Sequence, residues 1–214
     1  MGTMEEANWQ VKIYRFIAGK TKIIKNLFFL GYIFILAFLL LSIYLIHTQS
    51  AFEPVIYGIG KKFGQISLLL LGLIVTPGIL GRFRLGIPIS RIITAYRRQL
   101  GITTFLITFS HFMIVRGAYW LFSILPFAPF SPMFQLFGSL ALSIFFLMFI
   151  TSNNSSVKKL GKWWKRLQGF IYLALWLVFL HVGLQRISIW SIFIFGFATL
   201  EVVSLVYDYF MKKR

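Results

Sequence analysis

Long apolar runs, each separated from the next by a short polar or basic stretch, recur six times along the chain. A helix that crosses a bilayer needs roughly 20 mostly apolar residues. On that measure the pattern predicts spans over Leu27–Ile46, Gly64–Leu80, Gln99–Trp120, Phe134–Thr151, Leu167–Leu184 and Ile187–Phe210. Spans two and four are short, so their ends are the least sharply defined. The expected fold class is an all-α integral membrane protein, a six-helix bundle forming one domain over residues 27–210. A lead-in over 1–26 precedes it and a tail over 211–214 follows.

Two connecting segments carry patterns of their own. In Asn8–Asn26, Trp9, Ile13, Phe16 and Ile17 share one helical stripe with bases elsewhere. That fits an amphipathic helix lying on anionic lipid, and equally an irregular charged lead-in. In Leu125–Met133, Pro126, Pro129 and Pro132 exclude a regular helix, as expected of an outer connection.

The bases fix the expected orientation. Lys12, Arg15, Lys20, Lys22 and Lys25 precede span one. Arg82, Arg84, Arg91, Arg97 and Arg98 separate spans two and three. Lys158, Lys159, Lys162, Lys165 and Arg166 separate four and five, and Lys212, Lys213 and Arg214 follow six. With six crossings, 18 of the 22 Lys and Arg residues lie on one side, leaving Lys61, Lys62, Arg116 and Arg186 on the other. The positive-inside rule then puts both termini in the cytoplasm, in a plasma (inner) or other energy-transducing membrane.

Composition agrees. Apolar residues make up 58% of the 214, charged residues 13%, and mean hydropathy is +0.82; a soluble domain is about 25% charged. The net charge of +17 is distributed as membrane topology requires and forms no basic face on a soluble fold, so nucleic acid is not an expected partner. There is no cysteine, which excludes disulfides, thioether-linked haem and cysteine-held iron–sulfur clusters. No short secretory signal opens the chain, so the first apolar run is expected to stay as an anchor.

Ionisable residues inside a span are functional candidates, because an unpartnered polar group in hydrocarbon is costly. His47 ends span one at the water interface, where solvation suffices. His111 and His181 lie deeper. His111 is 13 residues past Arg98 and His181 is 15 past Arg166, depths of ~20 and ~22 Å at 1.5 Å per residue. Spans three and five run in the same direction, so the two imidazoles can face each other across one flat ring. Axial ligation of a single haem b fits that spacing; so does a hydrogen bond from each imidazole to a neighbouring helix. Arg116 and Arg186 each follow a histidine by five residues. They can reach toward haem propionates, although five residues is also about 140° around an α-helix, or snorkel to the interface. Glu201, mid-way along span six, suits a proton-carrying or quinol-binding role, or a hydrogen bond to a neighbouring helix. "GIGKKFG" at Gly58–Gly64 is no dinucleotide fingerprint, since it lacks the spacing and the preceding strand. Trp163 and Trp164 fit an interfacial aromatic belt.

The stretches "GLIVTPGIL", "YRRQLGITTFLITFSHF" and "FITSNNSSVKKLGKWWKRLQGFIYLALWLVFLH" together resemble the ferric reductase-like transmembrane family. Within it they are most similar to the short bacterial branch of haem-binding membrane subunits of methionine-sulfoxide reductase systems (MsrQ-like). The resemblance covers about Gly64–Leu184. It implies a six-helix haem-b electron conduit with His111 and His181 as the iron ligands. Family members with a second, inner haem carry another histidine 13 residues before the helix-five ligand; here that position is Gln168. One haem in the outer half is therefore expected, which leaves the inner half to be bridged. The resemblance implies FMN (FAD is the alternative), its phosphate on Arg97, Arg98 and the Lys158–Arg166 cluster; those bases also serve as plain topology signals. A quinone is another route.

The sequence given ends at "MKKR" without a flavin or nicotinamide domain, so separate redox donor and acceptor proteins are expected. The leading expectation is an electron-transfer subunit of an oxidoreductase. The alternative is a non-catalytic membrane subunit that keeps the family fold and scaffolds a larger complex. A transporter would want broken helices and polar midplane residues, which are scarce here.

Overall fold

The computed structural model describes residues 19–122, 124 and 132–213. The stripe of Trp9, Ile13, Phe16 and Ile17, the prolines Pro126 and Pro129, and Arg214 lie outside them. The described residues form helices: α1 Thr21–His47, α2 Glu53–Arg82, α3 Pro88–Ala95, α4 Arg97–Phe112, a π-helical turn Met113–Gly117, α5 Ala118–Leu121, α6 Met133–Ile150, α7 Asn154–Leu160, α8 Lys162–Gly169, α9 Ile171–Gln185 and α10 Ile189–Lys212. Among the described residues there is no strand. Six helical segments are long and apolar enough to cross a membrane: α1, α2, the continuous α4–π–α5 segment, α6, α8–α9 and α10. Helices answer the demand of hydrocarbon because every backbone donor and acceptor is satisfied within the segment.

The expected six spans are therefore present, with two changes of outline. Span two starts at Glu53 rather than Gly64 and runs for 30 residues. Pro54 sits in its first turn, where the missing N–H costs nothing, and Glu53 complements the positive helix end. "GIGKKFG" is consequently helix, with Lys61 and Lys62 exposed on it. Span five is preceded by a separate basic helix. Asn153 caps α7 by accepting from the Ser156 amide at 2.8 Å. Gly161, at φ +49°, then allows the turn into α8.

Packing is uneven. α6 lies along α9, α2 along α4, and α10 against both α2 and α9. The core between them holds Leu68, Leu71, Val75, Phe105, Phe145, Leu175 and Ile194, with Ala141, Ala174 and Ala198 allowing close approach. α1 buries only Leu39, Ser42 and Ile46, while Phe34 on its other side is 72% exposed. Such a surface belongs in lipid; in water it would associate. Three buried hydroxyls bond within their own helix: Ser42 to the Phe38 carbonyl, Ser67 to that of Phe63 and Thr104 to that of Leu100, at 2.8–2.9 Å.

Candidate functional site

His111 is the penultimate residue of α4 and His181 lies in the last third of α9. The chain puts the clustered arginines and lysines at the opposite ends of these helices, so both rings sit toward the less basic end of the bundle. Each is seated the same way. His111 Nδ1 lies 2.8 Å from the Gly60 carbonyl oxygen on α2. His181 Nδ1 lies 2.7 Å from the Phe134 carbonyl oxygen on α6. A carbonyl only accepts, so each Nδ1 must carry the proton; in an uncharged ring that leaves the Nε2 lone pair free.

Glycines make both seats. A Cβ at Gly64 would come within 2.9 Å of His111 Cε1, and one at Gly138 within 2.6 Å of His181 Nδ1. Each glycine lies four residues beyond the carbonyl that its histidine bonds, one helical turn along the same face. Sequence reading found both histidines and missed Gly60, Gly64, Gly138 and the two carbonyls. Gly60 and Gly64 form a small-xxx-small pair, which marks close helix contact in membranes. Gly138 offered no comparable signal.

The π turn begins two residues past His111, at Met113. Arg116 lies within that turn. Its guanidinium lies 5.2 Å from the centre of the Trp120 ring, and its buried Nε has no hydrogen-bond partner. Arg186 differs. It lies just past α9 in an extended conformation and is exposed.

A cavity of about 690 Å³ opens at the basic end. Lys25, Arg97, Arg98 and Lys165 line it, with Gln99, Gln168, Trp164 and Tyr172; Leu71, Thr104, Phe105 and Phe145 form its deeper part. Arg97, Arg98 and Gln168 are thus brought together in one place. Arg98 also donates to Asn154 Oδ1 at 2.7 Å. Gln99 Oε1 and Gln168 Nε2 are buried without partners. Thr104 is seven residues before His111, about 10 Å along the helix axis.

Glu201, 2% exposed, pairs with Arg82 at the end of α2. Arg82 also donates to the hydroxyls of Tyr172 and, at 3.1 Å, Ser204. Arg82 had been legible only as one base in a cluster. Among the described residues, no three or more of His, Cys, Asp and Glu converge as a metal-ion cage. Compared with family models, with curated proteins and with solved structures, the chain matches none.

Proposed function

We propose that the protein is a transmembrane electron-transfer subunit that holds one haem b between His111 and His181. The observation that carries this reading is the pair of imidazoles, each with Nδ1–H on a main-chain carbonyl and Nε2 unengaged. A metal-bound histidine characteristically donates its other ring N–H in this way, which fixes the tautomer and raises ligand basicity. Two neutral ligands suffice, because a porphyrin supplies the remaining four nitrogens. When bound, haem b supplies a one-electron iron couple. Gly64 and Gly138 leave the rings room and hold them against rotation. Arg116, with its free buried Nε, is the residue best placed to meet a propionate; exposed Arg186 is a weaker partner.

The positive-inside rule makes the basic end cytoplasmic, so reducing equivalents enter there from a flavin reductase or quinol. The inner cavity is the entry site in this reading. Its four cations suit a phosphate, and the unpartnered amides of Gln99 and Gln168 suit a ring bearing both carbonyls and an N–H. Those features favour FMN or FAD over a quinone, which has neither the N–H nor an anionic tail. A ligand reaching Thr104 would stand about 10 Å axially from the level of His111. The acceptor on the outer face is a separate redox partner, a methionine-sulfoxide reductase or a ferric chelate.

The test is a reduced-minus-oxidised absorption spectrum of the purified protein beside His111→Ala and His181→Ala. Haem b bands in the parent, lost from both variants, are expected; bands unchanged in either variant overturn the ligand assignment. A scaffold that merely keeps the fold would retain haem that no cytoplasmic-side donor reduces. Reduction by a flavin reductase with FMN, added to the basic side of oriented vesicles, separates the two.

A further inference from the structure

Tyr172 faces the inner cavity and is also tied to the buried ion pair behind it. A guanidinium has only donors, so the Tyr172 oxygen must accept from Arg82. The phenolic proton must then point elsewhere, and among the described residues no acceptor takes it. Arg82 would not hold this position alone. It needs a compensating charge, because an arginine shielded from water without one is strongly disfavoured. Glu201, on α10, supplies that charge, and Ser204 takes a further Arg82 proton. The chain of contacts runs from α10 through α2 to α9 and ends at the wall of the cavity.

We propose that Tyr172 is a hydrogen-bond donor to the ligand of the inner cavity, and that the Arg82–Glu201 pair is the device that aims it. The inference rests on the reading of that cavity as a flavin site. A phenol that accepts from a cation donates more strongly to the next group along, so the aimed proton is a good partner for a ring carbonyl. Gln168 Nε2, buried and unpartnered on the turn before Tyr172, presents a second donor to the same cavity. Tyr172 binds the ligand; Arg82 and Glu201 act through it as positioning residues. The role differs from ordinary helix stapling in one respect: removing the phenolic oxygen alone changes the ligand's behaviour while the ion pair stays intact.

The test is FMN titration of the purified full-length protein in nanodiscs, followed by flavin fluorescence quenching, with the bound flavin's midpoint potential as second readout. Tyr172→Phe is expected to weaken FMN binding about tenfold, the effect of one good hydrogen bond, and to shift the potential. Glu201→Gln should do the same. The double variant should be no weaker than Tyr172→Phe alone, since both changes remove one interaction. Leu173→Ala, on the exposed neighbour, should change neither readout. FMN bound equally by the parent and Tyr172→Phe at unchanged potential overturns the proposal, and so do multiplicative losses in the double variant. A parent that binds no FMN overturns the flavin reading of the cavity and this proposal with it. Should Glu201→Gln fail to assemble, Arg82→Lys takes its place: it keeps the charge but lacks the fork that reaches both Glu201 and Tyr172.

Discussion

Replacing Gly138 by alanine tests the histidine seats most directly. The added methyl would lie 2.6 Å from His181 Nδ1, 2.8 Å from Cε1 and 3.1 Å from Cγ, all atoms of the one ring. No flexible chain end is available to yield, so the imidazole itself must move or turn. Moving it stretches or breaks the 2.7 Å bond to the Phe134 carbonyl. A lost hydrogen bond costs about 1 kcal/mol and forced overpacking about 1–3 kcal/mol more. The helix itself gains up to about 1 kcal/mol from exchanging glycine for alanine, but that gain is the same with or without a bound group. For haem held through Nε2 the expected loss is therefore about 2–4 kcal/mol, or roughly 30- to 1,000-fold in affinity. Gly64→Ala should be milder, because its closest approach is 2.9 Å. Gly31→Ala, with nothing within 4 Å of the added carbon, should change nothing. Haemin titration of the three apoproteins, read at the Soret band, gives the order. Wild-type affinity in Gly138→Ala would refute the reasoning, and so would a larger loss in Gly31→Ala than in Gly64→Ala.

Other consequences can be measured separately. Arg82→Ala leaves Glu201 buried without its partner and should lower stability by about 3 kcal/mol; an unchanged thermal midpoint would show that the pair is not shielded as described. Tyr119 donates to Glu53 Oε1 at 2.8 Å, joining α5 to the start of α2. Tyr119→Phe should therefore cost about 1.5–3 kcal/mol in the same assay, and Glu53→Gln less. The chain has no cysteine, so single cysteines at the exposed positions Lys159 and Lys61 can report sidedness. An impermeant maleimide on intact cells should label the Lys61 position alone, and labelling at Lys159 would invert the orientation.

Hydropathy was enough to find the six spanning segments, because a bilayer asks for length and apolarity and little else. It erred at Glu53–Gly64. Two lysines and three glycines in that stretch read as a loop, whereas the structure continues one helix through them with the lysines outward. The histidines stood out for the converse reason: an imidazole in hydrocarbon is rare enough to count. What surrounds them was not legible. A glycine that makes room for a ring looks like any other glycine, and no residue type announces a π turn. The Arg82–Glu201–Tyr172 chain joins residues more than 100 positions apart in part, and its charges looked from the sequence like a topology signal and a stray carboxylate. Gln168, noted first for the histidine it replaces, lines the same cavity as Arg97 and Arg98, a grouping that needed three dimensions.

The carbonyls that hold the two imidazoles have no codons of their own. Any amino acid at position 134 presents the same oxygen, although the Phe134 ring adds a contact of its own, its centroid 5.8 Å from that of His181. Selection acts on these seats chiefly through what must stay missing, the side-chain carbon at positions 64 and 138. In distant relatives the lasting imprint of the site would thus be a pattern of omissions, paired glycines facing paired histidines, with the rest of each helix rewritten.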